Sequence, residues 1–183
     1  MDFTRGVWLN APPACSVEPD RLEVSAAAES DFWRITHYGY VHDSGHFLGL
    51  QVGGDFVADL IVKGGYREQY DQAGLMLRQD AAHWLKCGIE LVDGVQQLSA
   101  VVTRCYSDWS VVPLATPPDA LRLCVNRQGD FVEVRYSLDG ERYALLRIAY
   151  LPPSPELLVG PMCAAPIRGG FTTVFEGFRV APL

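Results

Sequence analysis

Gln72, Trp84, Lys86 and Glu90 fall on one side of two strand-like runs in "QAGLMLRQDAAHWLKCGIE" (residues 72–90), and Gln97 and Ser99 extend the set into the next run. Asp108 and Trp109 stand together in "SDWS" after a strand end, facing a ligand or with the Trp packed on a sheet edge. Aromatic faces stack on the C–H faces of sugars, and carboxylates and amides take the hydroxyls. Such a set suits a saccharide or a small sugar-derived metabolite held in a groove. Hydrolysis of a glycan would need two carboxyl groups about 5–5.5 Å or 6.5–9.5 Å apart. Glu90 supplies one, with Asp108 or Glu68 as the candidate for the second. Lys86 and Glu90 are four residues apart on one strand, hence about 13 Å apart at the usual rise, too far to pair directly. A dry mid-sheet Lys or Glu needs a partner, so solvent or ligand contact is expected.

Other motifs carry less. "HDSGH" sets His42 and His46 at a spacing that binds metal on a helix, but its D-S-G interior makes a turn, so no metal is expected. "YSLDGERY" reads as a hairpin turn. "EPDRLE" (residues 18–23) echoes the E-x-D-x-x-E pattern of laminarinase-type glucanases, yet it opens on a turn signal outside the main strands. "DFW" at Asp31–Trp33 sets aromatics beside a carboxylate, for core packing or for ligand. Asp71, next to Gln72, points to the opposite side by alternation and is expected to bond a loop backbone. No G-x-S-x-G, P-loop or dinucleotide fingerprint occurs, and no cofactor is expected. The five cysteines are odd in number and form no C-x-x-C pair. Cys87 and Cys124 sit in apolar strand patterns as buried thiols, and a reducing cytoplasm fits best.

The elements that must position these residues are strands. Helical periodicity is nearly absent, while short β-branched and aromatic runs recur between Gly, Pro and Asp. The runs are "RLEVSA", "FLGLQV", "DFVADLIVKG", "QAGLMLR", "WLKCGIEL", "QLSAVVTR", "ALRLCVNR", "DFVEVRYS", "YALLRIAY", "LLVGPMCA" and "FTTVFEGFRV". That density predicts an all-β sandwich, jelly roll or barrel. At 183 residues the chain is expected to form one domain over 1–183, and "TPPD" and "LPPSP" are read as loops within it. A net charge of −7 and a pI near 5.0 argue against nucleic acid or anionic lipid as partner. No apolar run is long enough to span a bilayer as a helix. The oligomeric state is left open.

One sheet can be built in register. The Asp93-Gly94 turn sets Val92 opposite Val95, which aligns Glu90 with Gln97, Gly88 with Ser99, Lys86 with Val101 and Trp84 with Thr103. The alternate face is wholly apolar, and a slip of one residue would destroy that separation. Matching apolar faces adds the preceding strand, with Leu77 beside Leu85, Leu75 beside Cys87 and Ala73 beside Ile89. On the polar face Gly74, Gly88 and Ser99 then share a row, a trough between a Gln72/Glu90/Gln97 wall and a Met76/Lys86/Trp84 wall. A strand glycine costs roughly 0.5–1 kcal/mol against Ala, so two aligned glycines imply that something approaches closely. It is either a bound ligand or a loop or large aromatic from elsewhere in the chain.

At "SDFWRITHYG", "YDQAGLML", "HWLKCGIE", "SDWS", "YSLDGERY" and "FTTVFEGF" the chain resembles the domain of unknown function 1349 family over nearly its whole length. That family lies in the concanavalin A-like lectin/glucanase superfamily and includes fungal regulation-of-enolase proteins. The resemblance implies a concanavalin A-like jelly-roll sandwich of two antiparallel sheets, one concave, with the trough on the concave face. It brings no catalytic residues to transfer. Three functions compete: a lectin-like domain binding a saccharide or sugar-derived metabolite, a glycan-active hydrolase using Glu90, and an intracellular regulatory module whose exposed aromatics bind a protein.

Overall fold

The computed structural model describes residues 2–183. Five short strands come first: β1 (Val7–Leu9), β2 (Ala14–Val17), β3 (Arg21–Ser25), β4 (Phe32–Arg34) and β5 (Val41–Asp43). The middle of the chain forms β6 (His46–Gly53), β7 (Phe56–Gly64), β8 (Gln72–Arg78), β9 (His83–Val92), β10 (Val95–Arg104) and β11 (Tyr106–Pro113). The last third forms β12 (Leu121–Gln128), β13 (Phe131–Ser137), β14 (Ala144–Tyr150), β15 (Glu156–Ala164) and β16 (Thr172–Pro182). Seven strands in the order β1-β6-β15-β8-β9-β10-β11 make the first sheet; β14-β13-β12-β7-β16-β3-β2 make the second. β4 and β5 pair only with each other. No helix among the described residues is long and apolar enough to cross a membrane.

The sandwich follows from alternation. In β7 and β12 every second side chain is buried, because one face of a strand packs inward and the other meets solvent. Leu60, Val62, Leu123 and Val125 of the second sheet share one core with Leu75, Leu77, Leu85 and Ile89 of the first. Each such side chain contributes about 1.5–3 kcal/mol on burial. Asp93 and Gly94, both with positive φ (52° and 76°), make the tight turn that fixes β9 on β10. The observed pairs Glu90↔Gln97, Gly88↔Ser99, Lys86↔Val101 and Trp84↔Thr103 are those built from the sequence. The β8–β9 pairs Ala73↔Ile89, Leu75↔Cys87 and Leu77↔Leu85 agree as well.

Two expectations are corrected. "SDWS" lies inside β11, at the edge of the first sheet, and not after the end of a strand. The turn into β11 is Cys105, a non-glycine residue at φ 62°, so no Gly, Asn or Asp marks it in the sequence. The trough is also not open. β8 and β9 are buried on both faces, because the β4–β5 hairpin lies across the outer face of the first sheet. Phe32 and Trp33 from this hairpin join Phe47, Met76, Trp84, Val101 and Met162 in a second apolar cluster. Met162 pairs with Gly74 across the β8–β15 ladder, and only about 10 Å³ remains beside Gly88, Ser99 and Met162.

The two glycines answer to the backbone. A Cβ on Gly74 would sit 1.8 Å from the Cys87 carbonyl oxygen, and one on Gly88 would sit 2.1 Å from that of Ala73. What approaches closely at this row is the neighbouring strand itself.

Candidate functional site

The hairpin is tied to the sheet mainly by sheet side chains, and Asn10 Nδ2, just past β1, also donates to the Asp43 carbonyl at 2.7 Å. Arg78 on β8 makes a bidentate pair with Asp43, with both N–O distances 2.7 Å, an arrangement that fixes direction as well as charge. The Ser107 hydroxyl accepts from the Arg34 N–H at 2.9 Å. Lys86 Nζ donates to the Phe32 carbonyl at 2.8 Å and to Gln72 Oε1, and lies 3.8 Å from Asp31 Oδ1. Asp31 in turn accepts from its neighbour's Phe32 N–H at 2.7 Å and from Gln72 Nε2 at 3.1 Å. A buried ammonium is thus surrounded by acceptors, as burial of a charge requires.

Beside these ties the hairpin leaves a cavity of about 60 Å³ between its tip and the sheet. Its floor is Gln72, Lys86, Glu90 and Val101, with Asp31 at one side. Its walls are aromatic. Trp33 meets Trp109 at 6.4 Å and 87°, and meets Tyr38 at 5.6 Å and 71°. Tyr70 meets Trp109 at 6.5 Å and 75°, and Tyr38 is hydrogen-bonded to Tyr70. Trp33, Tyr38, Tyr70 and Trp109 therefore close a box of near-perpendicular rings. Tyr40, which also lines the cavity, stacks on Tyr38 with centroids 5.4 Å apart. The bond to Tyr70, followed by burial, pushes the Tyr38 phenol up to about 12.

Glu90 is the carboxylate at the base of the box. Its Oε2 accepts from Ser99 Oγ at 2.8 Å and from Trp109 Nε1 at 3.0 Å. Among the described residues, Oε1 takes no hydrogen bond. Burial holds this carboxyl above its usual range, while the charge of Lys86 and the bonds from Ser99 and Trp109 act in the opposite direction. The cavity opens beside a wider groove of about 780 Å³ that shares Trp33, Tyr38 and Trp109 and adds Arg104, Tyr106 and Asp108.

Of the residues singled out in the sequence, Gln72, Lys86, Glu90 and Trp109 meet at this cavity. Ser99 lies behind it, bonded to Glu90 and accepting from Trp109 Nε1 at 3.1 Å. Gly74 and Gly88 lie in the covered row. Trp84 is 1% exposed and packs on Phe32 at 6.2 Å, so it belongs to the second core and offers no face to a ligand. Gln97 is half-buried, opposite Glu90 and Pro113 on the sheet, and outside the cavity. Asp108 is exposed in the outer groove and pairs with Arg147 at 3.2 Å. Neither Asp108 nor Glu68, which lies 3.8 Å from Arg168, brings a second carboxylate to Glu90. Asp31 does.

Tyr38, Tyr40, Tyr70 and Val101 were not singled out as site residues. The one local signal was the aromatic density of "THYGY" between polar turn residues. Asp71 is where alternation put it: fully buried, its Oδ2 accepts from the Arg67 and Glu68 N–H groups at 2.9 and 3.0 Å. His46 is structural too, with Nε2 accepting from Ala27 N–H at 2.9 Å and Nδ1 donating to the Asn10 carbonyl at 2.7 Å. His42 packs against Tyr40 at 4.5 Å.

The chain is 40% identical, over its 183 residues, to Regulation of enolase protein 1 of Saccharomyces cerevisiae, and covers 92% of that protein. The crystal structure of a functionally unknown protein from Saccharomyces cerevisiae superposes with a TM-score of 0.97 at 38% identity, covering 100% of this chain and 99% of that one. The fold is shared more widely. A legume lectin-like domain from Entamoeba histolytica gives a TM-score of 0.65 at 9% identity, with 99% and 92% of the two chains covered. The model of the family described as "Protein of unknown function (DUF1349)" matches residues 8–183. On that match and the 40% identity, this lectin-like β-sandwich belongs to the DUF1349 family.

Proposed function

We propose that this protein is a lectin-like binding domain that takes the end group of a saccharide, or a small sugar-derived metabolite, in the aromatic-walled cavity over Glu90 and Lys86. One observation carries the reading: a box of four rings stands on a floor of carboxylate, amide and ammonium groups. Rings cover the C–H faces of a sugar, and the floor groups take its hydroxyls. A site for one water needs roughly 10–15 Å³, so the cavity admits an end group and not the interior of a chain. The adjoining groove is where the rest of a longer ligand would lie. A protein that senses a sugar-derived metabolite in a reducing cytoplasm also suits the word "regulation" in the name of its yeast relative.

A glycan-active hydrolase is the second reading, favoured by the presence of Asp31 and Glu90 in one cavity. It ranks below binding because Asp31 is engaged by the Phe32 N–H, Gln72 and Lys86.

The test is thermal unfolding with a panel of monosaccharides, short oligosaccharides and sugar phosphates. At ~100 times Kd a ligand adds about 2.7 kcal/mol, which raises Tm by roughly 5–10 °C in a chain of this size. Tyr38→Ala removes an exposed wall residue and is expected to cut the shift by more than half while leaving the unliganded Tm near that of the parent. If no sugar in the panel moves Tm, the binding reading fails. Release of nitrophenol from nitrophenyl glycosides, lost in Glu90→Gln, would promote the hydrolase.

A further inference from the structure

The charges around the cavity do not cancel. Lys86 contributes +1 and Asp31 and Glu90 contribute −1 each, so the ionised set sums to −1. Lys86 directs its donors to the Phe32 carbonyl, Gln72 Oε1 and the side of Asp31, so its charge acts on Glu90 only through space and no cation bonds that carboxylate directly. Both donors that reach Glu90 go to Oε2, and Oε1 takes none among the described residues. Glu90 is only 7% exposed. A buried carboxylate with an uncommitted oxygen facing a cavity is an acceptor awaiting a cation.

The walls favour the same charge. Rings at 71° to 87° to one another cannot all stack on one flat ligand. They enclose a volume, and the negative faces of Trp and Tyr rings attract an ammonium within about 6 Å, most strongly where water is excluded. One flat ring suffices for the C–H face of a neutral sugar; several rings around a carboxylate add a place for a cation.

We infer that the ligand of this cavity is a sugar carrying an ammonium group, an amino sugar whose –NH3+ enters the ring box and donates to Glu90 Oε1. The inference rests on the saccharide reading above and narrows it. The amino group occupies the box, and the remaining ring carbons and hydroxyls reach Asp31, Gln72 and the mouth shared with the outer groove. Lys86, held by its three acceptors, orients Gln72 and Asp31 and does not contact the amine.

Calorimetric titration of the full chain with glucosamine, galactosamine and mannosamine, each beside its neutral parent and its N-acetyl form, tests this. At least one amine is expected to bind about tenfold or more tighter than its parent, a difference of ~1.4 kcal/mol, and acetylation should remove that advantage. Glu90→Gln, matched to the parent by near-UV circular dichroism, should bring the amine-to-parent ratio close to one; Glu90→Asp, which keeps the charge, should retain a preference for the amine. Equal binding of amines and parents would overturn the inference and leave the saccharide reading standing. Binding of choline with no sugar bound would overturn both.

Discussion

Burial holds the Glu90 carboxyl above the usual carboxylate range, against the pull of Lys86, Ser99 and Trp109. In the unfolded chain it ionises near its ordinary value of about 4.3. Between that pH and its native value the folded protein keeps a proton that the unfolded chain has released. The native state then binds more protons, and stability falls as pH rises through this window. Glu90→Gln removes the titration, so the variant should lose less stability than the parent between about pH 4 and about pH 7. Urea unfolding at both pH values measures it, and an equal loss would show that Glu90 is not the group responsible. Buried Asp71 is also held up by burial, but it titrates alike in both proteins. Gln72, Lys86 and Glu90 could be reached from the sequence because strand alternation assigns each a face, whereas Trp109 was reached only by its residue type beside Asp108. Asp31 could be noticed beside its aromatics but not placed, and Tyr38 and Tyr40 could not be reached, since what brings them there is the docking of a hairpin, a contact with no periodicity of its own.

At the level of elements, β8 and β9 show what a missing side chain can mean. The register was legible because an Asp-Gly turn and two apolar faces admit a single pairing. The purpose of Gly74 and Gly88 was not, because a sequence shows where a side chain is absent and not which neighbour fills the space. With a Cβ on Gly88 2.1 Å from the Ala73 oxygen and 2.7 Å from the Gly74 Cα, Gly88→Ala must push two paired strands apart. Overpacking of this kind costs about 3 kcal/mol, and the urea midpoint of the variant should fall accordingly. A loss below about 1 kcal/mol would mean that the ladder parts easily and the glycines serve something else. The hairpin tip has its own constraint: Ile35 and His37 both have φ of 64°, a region that a β-branched residue rarely enters. These turns set Tyr38 and Tyr40 side by side.

For the whole molecule, the distribution of thiols gives a direct reading of what the two sheets enclose. Cys15 and Cys105 are exposed, Cys124 is half-buried, and Cys87 and Cys163 are buried. Burial pushes the Cys87 thiol up to about 12 and Cys124 up to about 11, and raises Cys163 as well. Since the thiolate is the reactive form, a disulfide reagent should modify Cys15 and Cys105 rapidly in the native protein and Cys124 slowly. Cys87 and Cys163 should react only after unfolding; rapid native labelling of either would contradict the packing of the first sheet. The sandwich itself was legible from strand density and alternation, and Cys87 is the core thiol its pattern predicts, whereas Cys124, read the same way, is only half-buried. The added layer over the first sheet was not, because β4 and β5 span three residues each, too short for a period to register.

The β4–β5 hairpin shares no ladder with either sheet; it is held by Arg78, Lys86 and Ser107 reaching up from below. The mouth of the cavity is therefore carried by the hairpin, while its floor of Gln72, Lys86, Glu90 and Val101 belongs to the sandwich itself. On the binding reading proposed above, substitution among residues 35–40 would reshape the mouth without disturbing a single rung of either sheet.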